Sequence, residues 1–70
     1  MAGYLVPPQQ RLKYAIYRGR KLLAAKEGDA AIEHFARAYA LARIVHGDTH
    51  WRTCRCRIFM AMTYLYIKVN

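Results

Sequence analysis

Two identical breaks, Gly28-Asp29 and Gly47-Asp48, interrupt a sequence that is otherwise patterned for helix, and they constrain the fold most. Glycine suits the left-handed residue that ends a helix, and aspartate suits the N-cap of the next, so each break closes one helix and opens another. The spacing predicts helices from about Gln9 to Glu27, from about Ala30 to Val45, and from just after Asp48 to the end. Pro7-Pro8 closes an N-terminal arm (residues 1–8), since proline is tolerated in a first helical turn. The tightness of the first break makes the first two helices an antiparallel hairpin.

At 100° per residue, Leu12, Ile16, Gly19 and Leu23 share one face of the first helix, with Ala15 and Leu22 on its flank. On the second, Ala31, Phe35, Ala38 and Ala42 line up, extended by Leu41 and Val45. Small side chains let a neighbouring helix approach closely, and Phe35 fills the space they leave. Glu33 and Arg37 stand at i, i+4 on the opposite face, as a solvated pair. The third helix offers a bulky stripe, Trp51, Cys54, Ile58, Ala61, Leu65 and Val69, with Trp51 as its first core residue. The expected shared core is therefore Leu12, Ile16, Leu23, Ala31, Phe35, Ala38, Ala42, Trp51, Ile58 and Leu65. The rest of the third helix changes from Arg52, Arg55 and Arg57 to Phe59, Met60, Tyr66 and Ile67. A helix apolar on most sides expects to be covered on more than one.

Seventy residues make one small domain, and an apolar content of 56% is too high for a disordered tail. Twelve Lys and Arg against only Glu27, Asp29, Glu33 and Asp48 give a formal charge of +8. That balance suits nucleic acid, an anionic membrane or an acidic protein surface. Cys54 and Cys56 would lie about 200° apart on a helix, so they cannot bridge each other, which fits a reducing compartment. "MAGYLVPPQQ" lacks the basic and long apolar regions of a signal peptide. "IFMAMTYLYI" has about half the length of a membrane span. The expectation is a soluble, intracellular, cytoplasmic protein.

His46, His50 and Cys54 recur every four residues, as zinc ligands can. Gly47-Asp48 separates the histidines, so only His50 and Cys54 would share a helical face, and two ligands do not close a structural site. No metal or cofactor is expected; His50 reads as a capping or packing residue and Cys54 as core. With no serine and no glycine-rich phosphate loop, no catalytic residue is expected either, and the chain reads as non-enzymatic. Arg11, Arg18, Lys21 and Lys26 gather on one side of the first helix. Arg52 and Arg55 lie about 60° apart on the third helix while Arg57 points away. No base-reading motif accompanies these cations, so a basic helical domain binding nucleic acid or another polyanion is the alternative reading. Tyr39 and Tyr64 read as packing residues, whereas Tyr14 and Tyr17 lie off the core face. The candidate partner surface is Tyr14, Tyr17, Arg18, Lys21, Arg52, Arg55, Phe59 and Tyr66.

Ala31-x3-Phe35-x2-Ala38, preceded by Gly28-Asp29, resembles the second-helix signature of a tetratricopeptide repeat. "ALARIVHGDTHWR" is similar to the long-format repeat joint of kinesin light chains, and more so to that of the tetratricopeptide repeat protein 23 family. In that family an AL-x-RI-x-x-G-(D/E)-x-HW stretch opens the next helix. The similarity runs from Pro7-Pro8 to Tyr64-Leu65. It departs at Thr53-Cys54, where the family has Leu-Ala, at Phe59-Met60, where it has Asn-Leu, and at Val69-Asn70, where it has a closing glycine. The resemblance implies an all-α fold: one tetratricopeptide-like hairpin (9–45) and the first helix of a second, incomplete repeat (49–70), an α-solenoid fragment. It further implies a protein-interaction scaffold associated with ciliary assembly and signalling. Repeats of this kind are stabilised by stacking, so a short or truncated member is expected to be marginally folded or to self-associate through its third helix. Its partners are expected to be proteins, with acidic surfaces suited to the charge.

Overall fold

The structure, a computed structural model, describes residues 7–69. It is all-α: α1 spans Pro8–Ala24, α2 Gly28–His46 and α3 Trp51–Val69. Residues 1–6 of the expected arm lie outside the described residues, as does Asn70. Short connections force the helices to run up, down and up, with α2 in the middle touching both neighbours. The result is a layer of 38 × 30 × 12 Å, a tetratricopeptide-like hairpin with a third helix laid against it. No described helix is long and apolar enough to cross a membrane.

Pro7 is extended (φ −60°, ψ 148°), and its carbonyl accepts the N–H groups of Gln10 and Arg11, so the helix opens at Pro8. Its end lies earlier than the sequence predicts. Lys26, not Gly28, takes the left-handed conformation (φ 65°). Lys26 N–H donates to the Leu23 carbonyl and Glu27 N–H to that of Leu22, the paired bonds of a Schellman stop. Gly28 is instead the first residue of α2, buried, and Asp29 is a first-turn acid rather than the N-cap, which is Glu27. Glycine is required at Gly28 by packing: a Cβ there would stand 2.8 Å from Ile67 Cγ1 and 3.3 Å from Tyr66 Cδ2. At the second break Gly47 ends α2 at φ 93°, whereas Asp48 does not cap α3, which opens at Trp51.

The core forms around one stripe of α2. Ala31, Phe35, Ala38 and Ala42 are fully covered, and Leu12 and Ala15 of α1 are buried against them. Gly19 is what allows Phe35 its place, for a Cβ on Gly19 would stand 2.7 Å from the ring. Full burial of such a ring is worth about 1.5–3 kcal/mol. Ile16 packs against this cluster half-buried, and Leu23 is also half-buried.

The face that α3 turns to α2 is the reverse of the expected one. Thr53, Cys56 and Thr63 are buried, while Trp51, Ile58 and Leu65 are 59%, 56% and 64% exposed. Cys54 and Tyr64 are exposed as well. The cause is steric and polar. Small residues on α3 meet the alanine stripe of α2, and the single Thr53 hydroxyl proton is shared between the Gly47 carbonyl (2.7 Å) and the Ala42 carbonyl (3.2 Å). The Thr63 hydroxyl donates back to the Phe59 carbonyl at 2.7 Å, so neither buried threonine leaves a polar atom unsatisfied. Phe59 stacks on Phe35 with ring centroids 5.1 Å apart. Bulk at 51, 58 and 65 would have held the helices apart.

Candidate interaction surfaces

Because the helices form one layer, α1 and α3 each bury one face against α2 and leave others open. On α1, Tyr14 and Tyr17 are 63% and 55% exposed, Lys21 is exposed and Arg18 is half-buried. On α3, Arg52 and Arg55 are exposed beside Trp51, their guanidinium carbons 5.1 and 5.6 Å from its ring centroid. Phe59 and Tyr66 are the two proposed surface residues that the fold moves elsewhere. Phe59 is spent on the Phe35 stack, and Tyr66 is half-buried against the start of α2. The large side chains reserved for the core, Trp51, Ile58 and Leu65, take the open position, together with Met62 and Val69. A weak sequence signal for this existed in threonines 53 and 63, small residues on the face of α3 opposite the bulky stripe whose hydroxyls can be satisfied on backbone carbonyls when buried.

Two furrows open along α1. One runs between α1 and α2, about 490 Å³, among Tyr14, Ala15, Leu41 and Ile44. The other, about 520 Å³, brings Lys13, Arg20 and Lys21 of α1 together with Arg55 of α3. The four cations surround Ile16, Tyr17 and Ala24, and no carboxylate lines that furrow. The basic residues thus divide differently from the helical-wheel grouping: Arg11 belongs to the first furrow, and Lys26 sits in the turn. Among the described residues the one ion pair is Arg43–Asp48 at 2.6 Å, which bridges the end of α2 to the loop after it. Glu33 and Arg37 do not pair.

The α2–α3 joint gathers two of the three histidines. His46 and His50 stack at 4.6 Å, and His50 stacks on Trp51 at 5.9 Å. His50 caps α3: its Nδ1 accepts the Arg52 N–H at 3.1 Å. Desolvation, then the charges of His50 and Arg52, hold the His46 imidazole below its ordinary pKa. Burial pushes the Cys56 thiol pKa up, against a small opposing effect of Arg55. A thiol so placed is a small apolar packing group. Among the described residues no three His, Cys, Asp or Glu side chains come together to hold a metal ion.

No family model matches the chain, and no solved structure matches it. Curated proteins do. Tetratricopeptide repeat protein 23 of Mus musculus is 32% identical over 62 residues, which is 89% of this chain and 13% of that protein. The Rattus norvegicus protein is 31% identical and the Homo sapiens protein 29% identical over the same length, each covered to 14%. The chain therefore spans about one seventh of the relatives it matches. The joint "ALARIVHGDTHWR", the alanine stripe around Phe35 and these identities agree: over most of its length the chain is similar to a segment of tetratricopeptide repeat protein 23.

Proposed function

We propose that this chain is a non-enzymatic protein-interaction module, built as one tetratricopeptide-like hairpin (9–45) followed by the first helix of a second repeat (49–70). One observation carries the reading. The fold uses its small side chains for packing and leaves Tyr14, Tyr17, Trp51, Ile58 and Leu65 outside. Large apolar groups displayed in this way mark an interaction surface rather than a solvated one. The names of the relatives, tetratricopeptide repeat proteins, support the same reading. The high positive charge favours acidic protein partners. The open stripe of α3 is the surface through which copies of the chain would self-associate. The reading extends to a cytoplasmic location, drawn from the sequence, and the family resemblance supports ciliary assembly or signalling as its context.

The test is recovery of protein partners on the full chain as bait after nuclease treatment, compared with Ile58→Glu/Leu65→Glu and with Tyr14→Ala/Tyr17→Ala. The expected result is a reproducible set of proteins that survives nuclease and is lost with one of the two variants. Recovery abolished by nuclease, with no protein sensitive to either variant, would contradict the reading and favour a nucleic-acid-binding domain.

A further inference from the structure

A smaller cavity than the two furrows opens where the first turns of α1 and α3 meet the last turn of α2. Its space is about 160 Å³, lined by Gln9, Leu12 and Lys13 of α1, His46 of α2 and Arg52 of α3. Leu12 is buried and His46 half-buried, while Lys13 and Arg52 reach the cavity from exposed positions. None of Glu27, Asp29, Glu33 or Asp48 lines it, and Asp48, the acid nearest in sequence to His46, is held by Arg43 at 2.6 Å. Rings position the polar groups instead of acids. The Arg52 guanidinium lies over the Trp51 ring at 5.1 Å, and the His46 ring stacks on His50 at 4.6 Å. A cation held over a ring keeps its outward hydrogen-bond donors for another group.

The donor set decides what kind of anion fills this space. Lysine and arginine supply donors alone, Gln9 supplies an amide NH2, and His46 donates from whichever ring nitrogen carries a proton. Four donor groups arriving from three helices suit an anion whose oxygens point in several directions. A phosphate group has that shape, and a guanidinium pairs with it bidentately. A carboxylate offers two oxygens in one plane and would leave part of the set unused. Size narrows the class further. Cavities for drug-sized ligands begin at about 300 Å³, so this one takes a single oxyanion group and neither a nucleobase nor a run of peptide. We propose that the cavity at the helix ends binds one phosphate group, either the free ion or the monoester end of a small molecule. The site goes beyond the reading of the chain as an interaction module and does not depend on it.

His46 gives the site a pH signature. The groups that face it are Lys13 from α1, His50 from the joint and Arg52 from α3, and none is an acid. In the free protein desolvation, then the charges of His50 and Arg52, hold its pKa down. An anion in the cavity favours the imidazolium, so binding takes up a proton and acidification tightens binding.

The full chain is titrated with inorganic phosphate, methyl phosphate and sulfate, followed by NMR on the imidazole C–H signals and the backbone amides. Sulfate keeps both its charges over the range used, so any pH dependence of its binding belongs to the protein. The expected result is saturable shifts centred on Gln9, Lys13, His46 and Arg52, with sulfate bound about tenfold more tightly at about pH 5.5 than at about pH 7.5. Lys13→Gln/Arg52→Gln should weaken phosphate binding by about tenfold, the scale of lost hydrogen bonds between charged groups. Arg37→Gln/Arg57→Gln removes the same charge outside the cavity and should leave binding within about twofold. His46→Asn should flatten the pH dependence of sulfate binding. Circular dichroism checks that the variants keep their helicity. Shifts that never saturate or that spread evenly over the Lys and Arg of all three helices overturn the proposal. So does equal loss in both double variants, or an unchanged pH dependence in His46→Asn. Methyl phosphate bound at least as tightly as phosphate assigns the site to a monoester end and weaker binding of the ester assigns it to the free ion; both support the site.

Discussion

At the residue scale, three positions carry strain or fit that substitution can expose. Lys26 sits at φ 65°, where an L side chain crowds its own backbone, and it ends α1 with a Schellman stop. Lys26→Gly should therefore raise stability, by about 1 kcal/mol, read as a higher urea midpoint with an unchanged slope. Gly19 behaves in the opposite sense. Alanine would gain helix propensity worth about 1 kcal/mol, but its Cβ would meet the Phe35 ring at 2.7 Å, and that ring is fully buried and stacked on Phe59. Overpacking of a rigid group costs about 1–3 kcal/mol, so Gly19→Ala should lower the midpoint. His46 supplies the pH dependence. Its folded pKa lies below the ordinary value of 6.5, so the unfolded chain takes up a proton first as pH falls. The contribution is fully present above pH 6.5 and is lost as pH drops through the lowered folded value. The urea midpoint should fall on acidification below pH 6.5, and His46→Asn should make that fall shallower.

At the scale of elements, α1 and α2 were legible in the sequence and the face of α3 was not. The alanine stripe around Phe35 is read correctly because small residues at helical spacing allow only one interpretation, a close helix contact. Leu12, Ala31, Phe35, Ala38 and Ala42 are buried as that pattern requires. On α3 two stripes compete, and hydrophobicity favours the bulky one, Trp51, Ile58 and Leu65. The partner helix decides otherwise, since an alanine surface accepts threonine and cysteine at short range and threonine can satisfy its hydroxyl on the backbone. The same logic explains Gly28, read as a stop and used as a close approach to Ile67. Thr53→Val keeps the shape and removes the hydroxyl that closes the Ala42 and Gly47 carbonyls. It should cost about 1–2 kcal/mol in chemical unfolding, with helicity of the folded state unchanged. The basic furrow was half legible. Lys21 and Arg55 stood out as candidate surface cations, and Lys13 and Arg20, on α1 beside Lys21, complete the lining.

At the scale of the whole molecule, a single layer of three helices explains both the packing and the proposed function. Each outer helix packs mainly on α2, so little of the apolar surface can be buried, and the core is confined to α2 and what touches it. The side chains left outside are then the ones available for partners: tyrosines on α1, a tryptophan–isoleucine–leucine stripe on α3, and a basic furrow between the two. All of this depends on which face of α3 meets α2. The two cysteines report it directly, because Cys56 is buried and Cys54 is exposed. The decisive measurement is the rate of thiol modification by a maleimide in the single-cysteine variants Cys54→Ala and Cys56→Ala, under native conditions and in urea. The account predicts that Cys54, alone in Cys56→Ala, reacts at nearly the same rate in both conditions. Cys56, alone in Cys54→Ala, should be slowed in the native state by about tenfold or more and released by urea. Protection of Cys54 with free reaction of Cys56 would put the bulky stripe inward and contradict it.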